Sequence, residues 1–232
     1  MKKVKRLLFF LIIVAVAAAG YITYSGYEKY TAATEKLSLS EAVAEARSIQ
    51  NYTEYEKISR TLINAVVAVE DKRFFHHSGV DIFGTGRALL NALKTGKITE
   101  GGSSITQQLA KNLYFMSDNS PSRKTAEIFV AAELEKNYTK EEILELYLNV
   151  IYFGSGYYNV YDACKGYFGK TPEKISDYEA TLLAGVPNAP SVYSPKKNPT
   201  LARKRQEKVV SSMRKNGYIS AVEEKEILNN KR

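Results

Sequence analysis

The feature that most constrains this chain is an unbroken run of 21 residues without a charge, Leu7 to Tyr27, near its amino end. At about 1.5 Å per helical residue the run spans roughly 30 Å, the thickness of a bilayer's hydrocarbon core. Lys2, Lys3, Lys5 and Arg6 stand directly before it. A basic flank of this kind stays on the cytoplasmic side, so the chain after the span is expected outside. Tyr21, Tyr24, Tyr27 and Tyr30 recur every third residue, which on a helix sets them near one stripe at the outer interface, where amphipathic rings are favoured. Ala17-Ala18-Ala19 offers the small residues of a signal-peptide cleavage site. The apolar stretch nevertheless exceeds the roughly 7 to 15 residues of a signal core, and a retained anchor is the better reading.

With 44% hydrophobic and 25% charged residues among 232, the chain has the balance of a globular protein and not of a disordered one. Beyond the anchor there is room for one compact domain of about 150 to 200 residues. The net charge of +8 calls for an anionic partner, whether nucleic acid, an acidic membrane face or a phosphorylated substrate. One cysteine, Cys164, excludes an internal disulfide framework and any multi-cysteine zinc site. The expected organisation is a basic tail over 1–6, the anchor over 7–27, a helical stalk over 28–58 and a folded domain over 59–232.

Helix signals dominate that domain. Leu62, Ala65, Val66 and Val69 recur at helical spacing and lead to Glu70-Asp71. Ser120-Pro121, the capping-box patterns Thr139 to Glu142 and Ser176 to Glu179, and Asn198-Pro199 each open a further apolar-periodic segment. No alternating strand series is evident, so the fold class is mainly α. Gly84, Gly86, Gly96, Gly101 and Gly102 crowd the stretch between Gly79 and Ser104, which reads as a mobile loop beside a site.

Three clusters can carry chemistry. Glu70 ends an apolar helix beside Asp71 and Phe74-Phe75; the negative helix end, the neighbouring acid and apolar walls all raise a carboxyl's pKa, as a general base requires. A solvated acidic pair at a helix end is the plainer alternative. His76 and His77 lack a third ligand at metal spacing, so a hydrogen-bonding role is favoured over zinc. Next, Gly101-Gly102-Ser103-Ser104-Ile105-Thr106-Gln107-Gln108 joins a glycine turn to hydroxyls and amides at a helix start and continues to Lys111. It suits sugar or phosphate oxygens but lacks the spacing of a phosphate-binding P-loop. Finally, Arg123 and Lys124 lie four and three residues before Glu127. They form either a surface ion pair or a cationic clamp for a diphosphate.

These segments, in this order, resemble the peptidoglycan glycosyltransferases of glycosyltransferase family 51. The family's first signature reads here Glu70-Asp71-Lys72-Arg73-Phe74-Phe75-His76-His77-Ser78-Gly79, with Asp81 and Arg87 in place. Its second, G-G-S-T-I-T-Q-Q, is residues 101–108 with Ser104 for Thr; its third, R-K-x-x-E, is Arg123 to Glu127; its fourth, K-x-x-I-L-E-x-Y-L-N, is Lys140 to Asn149. The fifth, R-R-x-x-V-L, keeps Arg205 and Val209, with Gln206 where the second Arg is usual.

The resemblance covers about residues 55 to 215. It implies a lysozyme-like helical lobe and a smaller membrane-proximal lobe with a cleft between them, preceded here by one transmembrane helix. The implied activity is glycan polymerisation from lipid II, with inversion, to β1,4 bonds and released undecaprenyl diphosphate. Since the sequence ends at Arg232, a monofunctional enzyme without a transpeptidase domain is expected. Glu70 and Glu127 are the implied catalytic carboxylates. Asp71, Phe74, His77, Ser103, Thr106, Gln107, Gln108, Lys111, Arg123 and Lys124 are the implied substrate-binding residues. No cofactor or protein-held metal is expected, although a divalent cation can travel on the substrate diphosphate. The partners implied are lipid II, the growing lipid-linked glycan, the membrane and cell-wall synthesis proteins, and no nucleic acid. An inactive cell-wall scaffold would show damage at Glu70, Lys111, Arg123 or Glu127, and a lytic enzyme would not need the Arg123-Lys124 cluster.

Overall fold

The computed structural model describes residues 2–96 and 102–230. Among them there is no strand, and the chain is a succession of helices. The first, α1 (Lys2–Lys36), is long and apolar enough to cross a membrane, and none of its apolar window is buried. It continues without a break past the end of the uncharged run.

Helix α2 (Leu39–Arg47) opens on a capping box between Ser38 and Glu41 and buries Leu39, Ala42, Val43 and Ala46. This corrects the expected stalk over 28–58, because Leu39, Val43, Ala46 and Ile58 belong to the main hydrophobic core. Alanines at i+3 and i+7 make a stripe that is narrow but sufficient against a close neighbour.

Helix α3 (Arg60–Glu70) starts at Ser59, whose hydroxyl accepts the Leu62 N–H, and buries Leu62, Ile63, Ala65, Val66, Val67 and Ala68. Apolar residues around nearly the whole circumference mark it as a central helix. Helix α4 (Ile82–Thr95) occupies most of the stretch expected to be a mobile loop; residues 97–101 lie outside the described residues. The run Ala88-Leu89-Leu90-Asn91-Ala92-Leu93-Lys94 consists almost wholly of strong helix formers. Their preference outweighs the roughly 1 kcal/mol that each interior glycine costs. A Cβ at Gly84 would stand 2.3 Å from Asp81 Oδ2, so any other residue there would make that carboxylate shift.

Next come α5 (Ile105–Tyr114), α6 (Pro121–Asn137), α7 (Lys140–Val150), α8 (Val160–Phe168), α9 (Asp177–Ala184), α10 (Pro199–Lys215) and α11 (Ala221–Asn229). The caps expected at Ser120, Thr139 and Ser176 are formed, and Gly169 and Gly217 end α8 and α10 in the left-handed region. Helix α3 packs on α9 and α10, while α5 packs on α6 and α7. These two groups share one core that includes Leu62, Val66, Phe74, Leu109, Leu134, Tyr147 and Val209.

The Lys140–Asn149 motif builds scaffold. Asn149 is fully buried; its Nδ2 donates to Thr53 O at 2.8 Å and its Oδ1 accepts Thr53 N–H at 2.8 Å. Glu145 accepts the Tyr52 hydroxyl at 2.6 Å and the Tyr55 N–H at 2.7 Å. Both residues thereby strap the segment after α2 onto α7. Asn149→Ala should therefore strand a buried donor and acceptor and lower stability by about 2 to 4 kcal/mol, measured by chemical denaturation of the intact protein.

Candidate active site

The carboxyl end of α3, the amino halves of α5 and α6 and one face of α10 converge on a cleft of about 800 Å³. Glu70 lies there because α3 ends at that residue. Asp71 caps the helix, and its carboxylate accepts His77 Nε2 at 2.9 Å and the Ile105 N–H at 3.1 Å, both in the interior. Asp71 thus ties the end of α3 to the start of α5, which brings Gln108 opposite Glu70.

Gln108 Nε2 donates to Glu70 Oε2 at 3.1 Å, and the Tyr147 hydroxyl donates to Gln108 Oε1 at 3.1 Å. The tyrosine fixes which way the amide points, so its NH2 faces the carboxylate. Arg205 Nη2 approaches Glu70 Oε1 at 3.6 Å, beyond hydrogen-bond distance, and Oε1 has no hydrogen-bond partner. With its side chain only 9% exposed, Glu70 has its pKa raised above the ordinary carboxylate range. Burial is the main cause and Asp71 adds to it, while the Gln108 hydrogen bond and Arg205 oppose it. One oxygen is anchored, and the other is buried without a hydrogen-bond partner.

Glu127 is a different carboxylate. Only 1% exposed, it pairs with Arg123 through Oε1 and with Lys124 through Oε2, and Lys124 also donates to Ser103 Oγ at 2.7 Å. Both its oxygens are engaged with cations. Lys111 lines the same cleft and makes no side-chain hydrogen bond or ion pair among the described residues. Lys72, Arg87 and Lys215 add further positive charge, so the cavity suits an anion.

Of the residues singled out in the sequence, Glu70, Asp71, Ser103, Gln107, Gln108, Lys111, Arg123, Lys124 and Glu127 line the cleft. Phe74, His77 and Thr106 do not. Phe74 is fully buried under Lys140, His77 is held by Asp71, and Thr106 is fully buried with its hydroxyl donating to Glu135 at 2.5 Å. Gln107 reaches the cleft but its Oε1 accepts the Ser104 N–H at 3.1 Å, closing the capping box that starts α5. The pattern Ser104-x-x-Gln107 was the available signal for that role. Arg205, kept in the fifth signature but given no role there, lines the cleft as well, as do Ser212 and Asn216, which nothing marks in the sequence because that part of α10 reads as an ordinary amphipathic helix.

A helical body thus holds a buried, half-satisfied carboxylate beside a cleft lined by cations. The chain belongs to the transglycosylase family, whose model matches residues 36–214. That span begins just before α2, in keeping with the burial of α2 in the core. A Cupriavidus necator protein named as a transglycosylase is 41% identical over 189 residues, which cover 82% of this chain and 81% of that protein. Penicillin-binding protein 1F of Bacillus subtilis is 42% identical over 72% of this chain, and penicillin-binding protein 1A of Aquifex aeolicus 43% identical over 77%. The matches span about a quarter of each of these two relatives, 23% and 24%.

The raised pKa of Glu70 has a sign that stability can report. An acid whose folded pKa lies above its unfolded one is destabilising when ionised; the cost is present above the folded pKa and vanishes below the unfolded value. Glu70→Gln should accordingly melt at or above the wild-type temperature at about pH 7, with the advantage shrinking toward about pH 4. Calorimetry across that range checks it.

Proposed function

We propose that the protein polymerises peptidoglycan glycan strands from lipid II. The observation that carries this reading is the cleft's pairing of a half-satisfied buried carboxylate, Glu70, with a braced cationic cluster, Arg123 and Lys124 on Glu127, in a chain of the transglycosylase family. In this reading the donor is a growing glycan joined through an α-linked diphosphate to undecaprenol. The 4-hydroxyl of the acceptor's GlcNAc attacks C1 of the donor MurNAc. Glu70 takes the hydroxyl proton, the C1–O bond to the diphosphate breaks, and inversion leaves a β1,4 bond.

Negative charge grows on the departing lipid diphosphate, and fixed cations that meet it there lower the barrier. Lys111, Arg123 and Lys124 take that part, Glu127 orients the last two, and Ser103 completes the polar wall. Gln108 acts on Glu70 rather than on the substrate. The reaction requires no cofactor; a divalent cation taking part would arrive on the diphosphate. The basic amino end puts the tail in the cytoplasm and the domain outside, where α1 confines enzyme and lipid substrate to one membrane plane.

The direct test is incubation of the full chain with labelled lipid II in detergent, with products resolved before and after muramidase digestion. Muramidase-sensitive polymer is expected, and its absence under conditions where the protein is folded would refute the reading. Glu70→Gln should lose at least about a hundredfold in rate. Arg123→Ala should slow transfer, and Arg123→Lys should not fully restore it, because a planar fork holds two phosphate oxygens where an ammonium offers a point charge.

A further prediction comes from the Tyr147–Gln108–Glu70 chain. Gln108→Leu removes a hydrogen bond that favours the ionised carboxylate, so the Glu70 pKa must rise further. The acid limb of the pH–rate profile should move to higher pH, and Tyr147→Phe should move it in the same direction by less. An unmoved limb in both variants would separate Glu70 from proton transfer.

A further inference from the structure

As a tether, α1 would need only an apolar span and a linker of any form. The structure contains more than that. Beyond its uncharged run α1 stays helical and lies along α6, the two helices running the same way, with Gly26 against Thr125 and Tyr30 against Phe129 and Glu133. The Tyr27 and Tyr30 rings stand 5.4 and 5.7 Å from the Phe129 ring, the Tyr30 hydroxyl donates to Glu133 at 3.0 Å, and Lys29 pairs with Asp118 just before α6.

The approach at Gly26 leaves no room for a side chain. A Cβ there would stand 2.4 Å from Thr125 Cβ and 3.0 Å from the Ser122 carbonyl oxygen, so any other residue forces the helices apart. Thr125 lies within one turn of Arg123, Lys124 and Glu127. At about 100° per residue, 125 and 129 share one face of α6, while 123 and 127 lie about 160° from 125 on the other. Helix α6 therefore has the anchor on one side and the cationic cluster on the opposite side. Gly26 is also the last residue but one of the uncharged run, so a bilayer crossed by that run would end close to this contact.

We propose that Gly26 is a positioning residue: by letting the outer end of α1 lie flush on α6, it sets the place of the Arg123, Lys124 and Glu127 cluster relative to Glu70 and to the membrane surface. The inference rests on the reading of that cluster as the diphosphate site. A side chain at position 26 displaces the first turn of α6, whereas Glu70 is held by Asp71 and Gln108 on α3 and α5 and stays in place. Displacing a binding group by about 1 Å is enough to cost up to a hundredfold in rate.

The experiment compares Gly26→Ala and Gly26→Leu with wild type in detergent, where confinement to a membrane plane no longer contributes. Two readouts are taken: steady-state polymerisation of lipid II and equilibrium binding of undecaprenyl diphosphate. Gly26→Ala should raise KM and weaken diphosphate binding by at least about fivefold, with Gly26→Leu worse and the acid limb of the pH–rate profile unmoved. Thr125→Gly, which removes the opposing Cβ, should restore most of the loss in Gly26→Ala. A variant with residues 7–20 reordered but equally apolar should match wild type. Should Gly26→Leu fail to fold, the smaller Gly26→Ala decides. Wild-type KM and binding in Gly26→Ala would overturn the positioning role while leaving the reaction standing. Weakened binding in a protein whose wild type makes no polymer would instead refute the reaction and keep the positioning role.

Discussion

Asp71 is the point on which the arrangement depends. Its carboxylate receives the imidazole of His77 and the first N–H of α5, so the end of one buried helix and the start of another are fixed to a single side chain away from water. A hydrogen bond to a buried charged group is worth more than a neutral one and costs correspondingly more to leave unmade. Because the next residue toward the amino end is Glu70, the same tie determines where the candidate base sits. Gln108, one turn into α5, then meets it without any flexible segment between them.

The two buried glutamates of the cleft show how one side-chain type takes opposite duties from its surroundings. Glu127 has a cation on each oxygen, so its acceptor capacity is spent on holding Arg123 and Lys124 in place. Glu70 has one amide donor, a guanidinium too distant to bond, and an oxygen left without a partner. Burial there works against ionisation. A proton acceptor and a brace are separated by these contacts, and the spacing of Glu residues along the chain could not have distinguished them.

Much of the fold was legible because its helices announce their ends: Ser120-Pro121, the Thr139 and Ser176 capping boxes and Gly217 all mark boundaries found in the structure. Helix α4 was hidden by Gly84 and Gly86, since local glycine content was weighed above the helix-forming run that follows. The burial of α2 was hidden because alanine reads as neutral, although at Ala42 and Ala46 it is what allows a close neighbour. Within the site, the resemblance implies substrate contact for Thr106, Gln107 and His77 alike. Thr106, Gln107 and His77 instead satisfy buried partners, a duty that depends on where the facing helices lie and so leaves no mark on spacing alone.

Gln206 shows why a departure from a motif need not weaken a site. Neighbouring residues on a helix point about 100° apart, so Arg205 and its successor cannot both face Glu70. Arg205 turns into the cleft, while Gln206 is fully buried and donates to Tyr178 O at 2.8 Å and Thr181 Oγ1 at 2.9 Å on α9. Its carbonyl oxygen accepts from Arg203 at 2.7 Å. A neutral amide with donor and acceptor ends satisfies this interior position without the desolvation cost of a guanidinium. The close packing of α10 on α9, marked by Gly185 where a Cβ would lie 2.8 Å from Arg205 Cγ, is secured by that amide. It is this packing that delivers Arg205 to within 3.6 Å of Glu70, so the residue that departs from the pattern supports the one that keeps it.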